Sequence, residues 1–132
     1  MKTLLFQNNV HNIEKIEIPR SDTPRAINLT VRKGLKWADL KIGETVHLQE
    51  TPPTPEAVDA GEATSSPGEV QTAMIFDVKV ISFADLMNYP KMLKLEHDPK
   101  CQNYCGLFET MRRVYDGFLQ HELVTLVYYE LV

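Results

Sequence analysis

Hydrophobic and polar residues alternate along most of this chain, and the alternation predicts strands. Thr3–Gln7 reads as a short strand, and Asn8, Asn9 and Asn12 read as turn residues after it. Lys15–Ile18 alternates as a half-buried strand does, until Pro19 to Pro24 break it. Ala26–Arg32 carries the clearest pattern of the first half. Ile27, Leu29 and Val31 share one face, while Asn28, Thr30 and Arg32 share the other. Lys33-Gly34 follows as a turn, then one helical turn over Leu35–Leu40 with Trp37 and Leu40 inward, then a strand at Thr45–Gln49.

Val70–Phe83 predicts a long strand with Met74, Phe76, Val78 and Val80 on one face and Ile75, Asp77, Lys79 and Ile81 on the other. Phe83–Met87 reads as a short helix. Leu107, Met111, Val114, Tyr115 and Phe118 recur at helical spacing, which predicts an amphipathic helix ending near Asp116-Gly117. Asp98-Pro99 has the form of a helix cap. Glu122–Val132 is apolar on both faces, as in a central strand. Together these elements predict an α+β domain: a small, mixed, mostly antiparallel β-barrel with one main helix and one or two short ones.

Thr51–Glu69 interrupts the pattern. It holds four of the eight prolines, four acids and no hydrophobic periodicity, so it reads as a long mobile loop within a single domain spanning 1–132. At 132 residues the chain can bury one core without metal or disulfides. Two cysteines are too few for a disulfide framework. Leu4-Leu5-Phe6 is too short for the apolar core of a signal peptide, and no run approaches a membrane span, so a cytoplasmic protein without membrane contact is expected.

Charge narrows the function. The net charge is −4, which disfavours a general polyanion binder. Residues 20–41 nevertheless carry net +4, with Arg20, Arg25, Arg32, Lys33, Lys36 and Lys41, while residues 42–90 carry net −7. A basic patch on an acidic domain fits a local anionic ligand. Arg32 offers a planar fork for phosphate or a carbonyl oxygen. Trp37 either stacks on a base or anchors the core. Glu96-His97-Asp98 combines two acids with an imidazole, a composition suited to acid–base chemistry or to a cap. His97, Cys101 and Cys105 are spaced by four, but a fourth zinc ligand is not evident. No metal and no cofactor is therefore assigned.

The order of elements resembles the ASCH domains of the PUA-like superfamily over residues 25–132. The segments carrying it are LTVR, WADLKIGETVHL, DVKVISFADL, the helix with Leu107, Met111 and Tyr115, and VTLVYYEL. In the family motif G-x-K-x-x-T-x-R, Thr30 and Arg32 match the last two positions. Ile27 stands where the lysine is expected and Arg25 where the glycine is. The resemblance implies a barrel with a cleft for RNA or a modified nucleoside. It also implies a hydrolytic role for Thr30 and a downstream glutamate, best matched by Glu96.

Three functions follow as expectations. The first is an RNA- or nucleotide-binding domain whose cleft uses Asn28, Arg32, Lys33, Lys36, Trp37 and His97. The second is a hydrolase of a modified nucleoside, or a ribonuclease, using Thr30 and Glu96, with the replaced lysine against it. The third is a protein-interaction domain using the acidic loop 51–69.

Overall fold

The computed structural model describes residues 1–6, 10–17, 22–50 and 70–132. The strands are β1 (Thr3–Phe6), β2 (Ile27–Lys33), β3 (Thr45–Glu50), β4 (Gln71–Ser82) and β5 (Leu123–Leu131). They form one sheet in the order β1-β3-β4-β5-β2, with β1 and β3 parallel and the other pairs antiparallel. The helices are α1 (Pro90–Leu93) and α2 (Tyr104–Val114), with 3-10 turns at Phe83–Asn88 and Pro99–Cys101.

The α+β class stands, but the barrel does not. β1 and β2 are the two edges of the sheet, and no ladder joins them among the described residues. The sheet is open, so the expected PUA-like barrel and the ASCH resemblance built on it are overturned. The outer edge of β2 is occupied instead by residues 95–97. Leu29 donates its N–H to the Leu95 carbonyl at 2.8 Å, and its carbonyl accepts from His97 N–H at 3.0 Å. That pairing satisfies edge groups that a barrel would have given to β1.

Each face of the sheet has its own core. Ile27, Leu29, Val31, Leu126 and Tyr128 pack with Phe83, Leu107, Met111 and Phe118 on the helical side. Leu4, Phe6, Leu48, Ile75, Val127 and Tyr129 cluster on the other. The face assignment along β4 is corrected by a register shift between Ile75 and Asp77. The irregularity breaks the period of two. Phe76 therefore packs on the helical side while Val78 packs on the other, although simple alternation put them together.

Other boundaries moved for local reasons. Asp98-Pro99 opens the 3-10 turn, where Asp98 Oδ1 accepts from Lys100 N–H at 3.0 Å. The N-cap of α2 is Asn103, whose side chain accepts from Gly106 N–H at 2.8 Å. Of the expected strand at Lys15–Ile18, the described residues 15–17 contribute an isolated bridge, Ile16 to Arg25. The turn at Asn8 and Asn9 and the loop at 51–69 lie outside the described residues, as do Ile18, Pro19 and Arg20. No helix among the described residues is long and apolar enough to cross a membrane.

Gly106 fixes α2 against the 3-10 turn that carries Lys100 and Cys101. A Cβ at this position would collide with the Lys100 backbone carbonyl. Alanine is intrinsically better than glycine inside a helix by about 1 kcal/mol. Here the collision dominates, and Gly106→Ala is expected to lose about 1–3 kcal/mol in urea unfolding. A gain in stability would contradict this packing.

Candidate functional site

The polar face of β2 is where the open sheet becomes chemically distinctive. Arg32 lies at the end of that face, and its guanidinium spans the gap to the opposite edge strand. Nη1 donates to the Leu5 carbonyl at 2.7 Å, and Nε donates to Thr30 Oγ1 at 3.0 Å. The guanidinium carbon sits 4.7 Å from the centre of the Phe6 ring. Two edges that share no ladder are thus tied by one side chain. No hydrogen bond uses Nη2 among the described residues, and Arg32 lines a cavity of about 610 Å³.

That cavity lies between Thr30–Arg32, residues 96–101 and α2. Thr30, Glu96, His97, Asp98, Lys100 and Arg113 supply its polar wall. Phe6, Leu107, Met111, Val114 and Tyr115 supply the apolar one. Three cations, Arg32, Lys100 and Arg113, are set against Asp98 and Glu96.

Glu96 is buried, with 2% of its surface exposed. Its Oε1 lies 3.1 Å from His97 Nε2, and the same oxygen accepts from Asp98 N–H at 3.3 Å. His97 Nδ1 lies 2.9 Å from the Val10 carbonyl. Burial pushes the Glu96 carboxyl up to about 8, opposed by the Asp98 N–H and by Arg32. Burial brings His97 down to about 4, opposed by the bond to Val10. Arg32 is also lowered by burial, an effect countered by Tyr115, Tyr129 and Glu96; it remains a cation, as guanidinium does in proteins.

A polar plug behind this pair fills the gap beside β2. His11 Nδ1 meets Tyr129 Oη at 2.6 Å, and burial, then His97, takes His11 down to about 4. The Phe6 ring stands edge-on to both imidazoles, 5.1 Å from His11 and 4.8 Å from His97. Asn28 completes the plug. Its Oδ1 accepts from Asn12 N–H at 2.6 Å and its Nδ2 donates to the Asn12 carbonyl at 3.1 Å. Asn12 in turn donates from Nδ2 to the carbonyls of Leu95 and Glu96.

The residues expected at a site therefore divide. Thr30, Arg32, Glu96 and His97 line one cavity. Asn28 is fully buried and clamps residue 12 from behind. Lys33 pairs with Glu122 at 3.4 Å, and Lys36 lies 5.1 Å from the centre of the Trp37 ring. Trp37 packs on the cluster containing Leu4 and Val46, its core-anchor alternative. None of Asn28, Lys33, Lys36 or Trp37 lines the cavity.

No family model, no curated protein and no solved structure matches this chain.

Lys100, Thr110 and Arg113 were missed as cavity residues. For Arg113 the available signal is its place on α2 next to the apolar stripe of Leu107, Met111 and Val114. Cys101 is buried, with Sγ 3.4 Å from Thr110 Oγ1, whereas Cys105 is exposed. Among the described residues no group of three or more His, Cys, Asp and Glu could hold a metal ion.

These shifts make stability depend on pH. Glu96 moves from 4.5 to about 8, so its contribution is complete below 4.5 and disappears as pH rises through 8. His11 and His97 move from 6.5 to about 4, so theirs is complete above 6.5 and is lost as pH falls through 4. The opposing slopes place the maximum near pH 6.5. From there to the alkaline side of the Glu96 transition the loss is about 2 kcal/mol, on the scale of about 1.4 kcal/mol per pH unit. Urea unfolding across this range measures the profile, and a flat one would contradict the protonation states of the plug.

Proposed function

We propose that this domain binds a nucleotide, or an anionic ligand of similar size, with the anionic group on Arg32. The observation carrying this reading is that Arg32 faces a cavity while no carboxylate pairs with it within salt-bridge distance among the described residues. A guanidinium partly removed from water needs an anion or a set of acceptors. Its backbone and hydroxyl partners use Nε and Nη1, which leaves Nη2 for an incoming oxygen.

The dimensions agree with a small molecule. A volume of about 610 Å³ lies within the usual span of ligand cavities. Phe6, Met111, Val114 and Tyr115 offer a surface for a base or other flat apolar body, while Lys100 and Arg113 add positive charge. The arrangement favours a single nucleotide over a long RNA strand. Lys33, Lys36 and Trp37, which an extended basic surface would need, are occupied elsewhere.

A hydrolase of a modified nucleoside is the second reading. Glu96 favours it, because a carboxyl held protonated near neutrality suits a general acid. Thr30 supports it less well. Its hydroxyl accepts from Arg32, and no base contacts it among the described residues. A weak hydroxyl nucleophile requires such a base.

Calorimetric titration with nucleoside monophosphates tests the binding reading. Arg32→Met is expected to weaken binding about 10–100-fold, the scale of a charge-assisted hydrogen bond. Arg113→Ala is expected to weaken it severalfold without touching the seam between β1 and β2. Lys36→Ala should leave it unchanged. Absence of binding at millimolar nucleotide, or equal affinity in Arg32→Met and Arg113→Ala, would overturn the assignment.

A further inference from the structure

We infer that Glu96 and His97 hold one proton between them, and that this shared proton keeps the cavity open to anions, so that binding fails when the pair gives it up. The inference rests on Arg32 being the anion contact.

Val10 fixes the tautomer of His97. A backbone carbonyl can only accept, so His97 Nδ1, 2.9 Å away, must carry a hydrogen. In a neutral imidazole Nε2 is then a bare acceptor. It faces Glu96 Oε1 at 3.1 Å. A carboxylate there would set lone pair against lone pair, so the contact requires a proton. Whichever atom holds that proton, the pair has no net charge.

The consequence falls on Arg32. Its field reaches both members of the pair, and an ionised Glu96 with neutral His97 would be its natural counter-ion. With the proton in place, the guanidinium stays uncompensated. Deprotonation puts a carboxylate beside it, in a place from which protein has displaced water. The new charge cancels the cation and repels the ligand.

The other groups around the pair do not replace this effect. Tyr129 on β5 and Cys101 on the 3-10 turn are both pushed upward by burial, Cys101 to about 11, and stay neutral in the relevant range. His11, on the segment behind, is lowered to about 4 and is neutral there as well. Thr30 on β2 does not titrate. Asp98 caps Lys100 through its Oδ1. Lys100 and Arg113 bring positive charge from the turn and from α2, and Tyr115 follows α2. Glu96, raised to about 8, is therefore the group that changes charge just above neutrality.

Inorganic sulfate is the suitable probe because it does not itself titrate between pH 6 and pH 9. Its affinity is expected to be constant from about pH 6 to 7 and to fall about tenfold per unit once the pair has lost its proton. Glu96→Gln keeps a neutral donor toward Nε2 and should bind sulfate without the alkaline fall. A second measurement needs no variant: at pH 8.5 the wild-type protein should take up about three-quarters of a proton per sulfate bound, read from titrations in buffers of different ionisation enthalpy. Sulfate binding with pH-independent affinity and no proton uptake would overturn the shared-proton gate while leaving the anion site intact. An alkaline fall that persists in Glu96→Gln would do the same. Failure of sulfate to bind at any pH would overturn the anion site and the gate together.

Discussion

The guanidinium of Arg32 closes a seam that the backbone leaves open. β1 and β2 end the sheet on opposite sides, and no ladder connects them among the described residues. Arg32 reaches from β2 to the Leu5 carbonyl and lies over Phe6, both on β1. A closed barrel would satisfy these edges with a regular row of N–H and carbonyl groups. Here a side chain meets one carbonyl, and residues 95–97 meet part of the other edge. Because a single cation makes the bridge, the same position that closes the fold also carries uncompensated charge. Fold and site are thus one constraint.

The polar plug follows from that arrangement. The open seam leaves room beside Tyr129 and Phe6, and His11, Asn12, Glu96 and His97 fill it. Buried polar groups are tolerable only when their hydrogen bonds are made. Asn28 makes this possible by binding both backbone groups of Asn12. Glu96 and His97 satisfy each other, but only as a neutral pair. A free carboxylate in this place would have removed the reason for an anion to enter.

Much of the scaffold was legible from period. Ile27, Leu29 and Val31 face the helical core while Asn28, Thr30 and Arg32 face away, as alternation required. The Leu107–Met111 stripe buries itself as an amphipathic helix should. The irregularity in β4 was not legible, because Met74–Ile81 carries apolar residues on both faces and one extra residue leaves no mark in such a run. Closure was not legible either. Strand patterns specify faces but not whether the last strand meets the first, so a barrel and an open sheet share one pattern.

The site was legible in part for the same reason. Shared strand face put Thr30 beside Arg32, and local composition marked Glu96 and His97. Sequence clustering of charge was a poorer guide. Lys33 and Lys36 follow Arg32 closely, yet the turn at Gly34 carries the chain away, toward Glu122 and Trp37. Arg113, far along the chain, shares the cavity instead. The most direct measurement follows from this contrast: nuclear magnetic resonance of the protein with ¹⁵N-labelled arginine and tryptophan, titrated with a nucleoside monophosphate. The account predicts that the Arg32 Nε–H signal moves saturably while the Trp37 indole signal stays still. Movement of Trp37 with an unchanged Arg32 would contradict it.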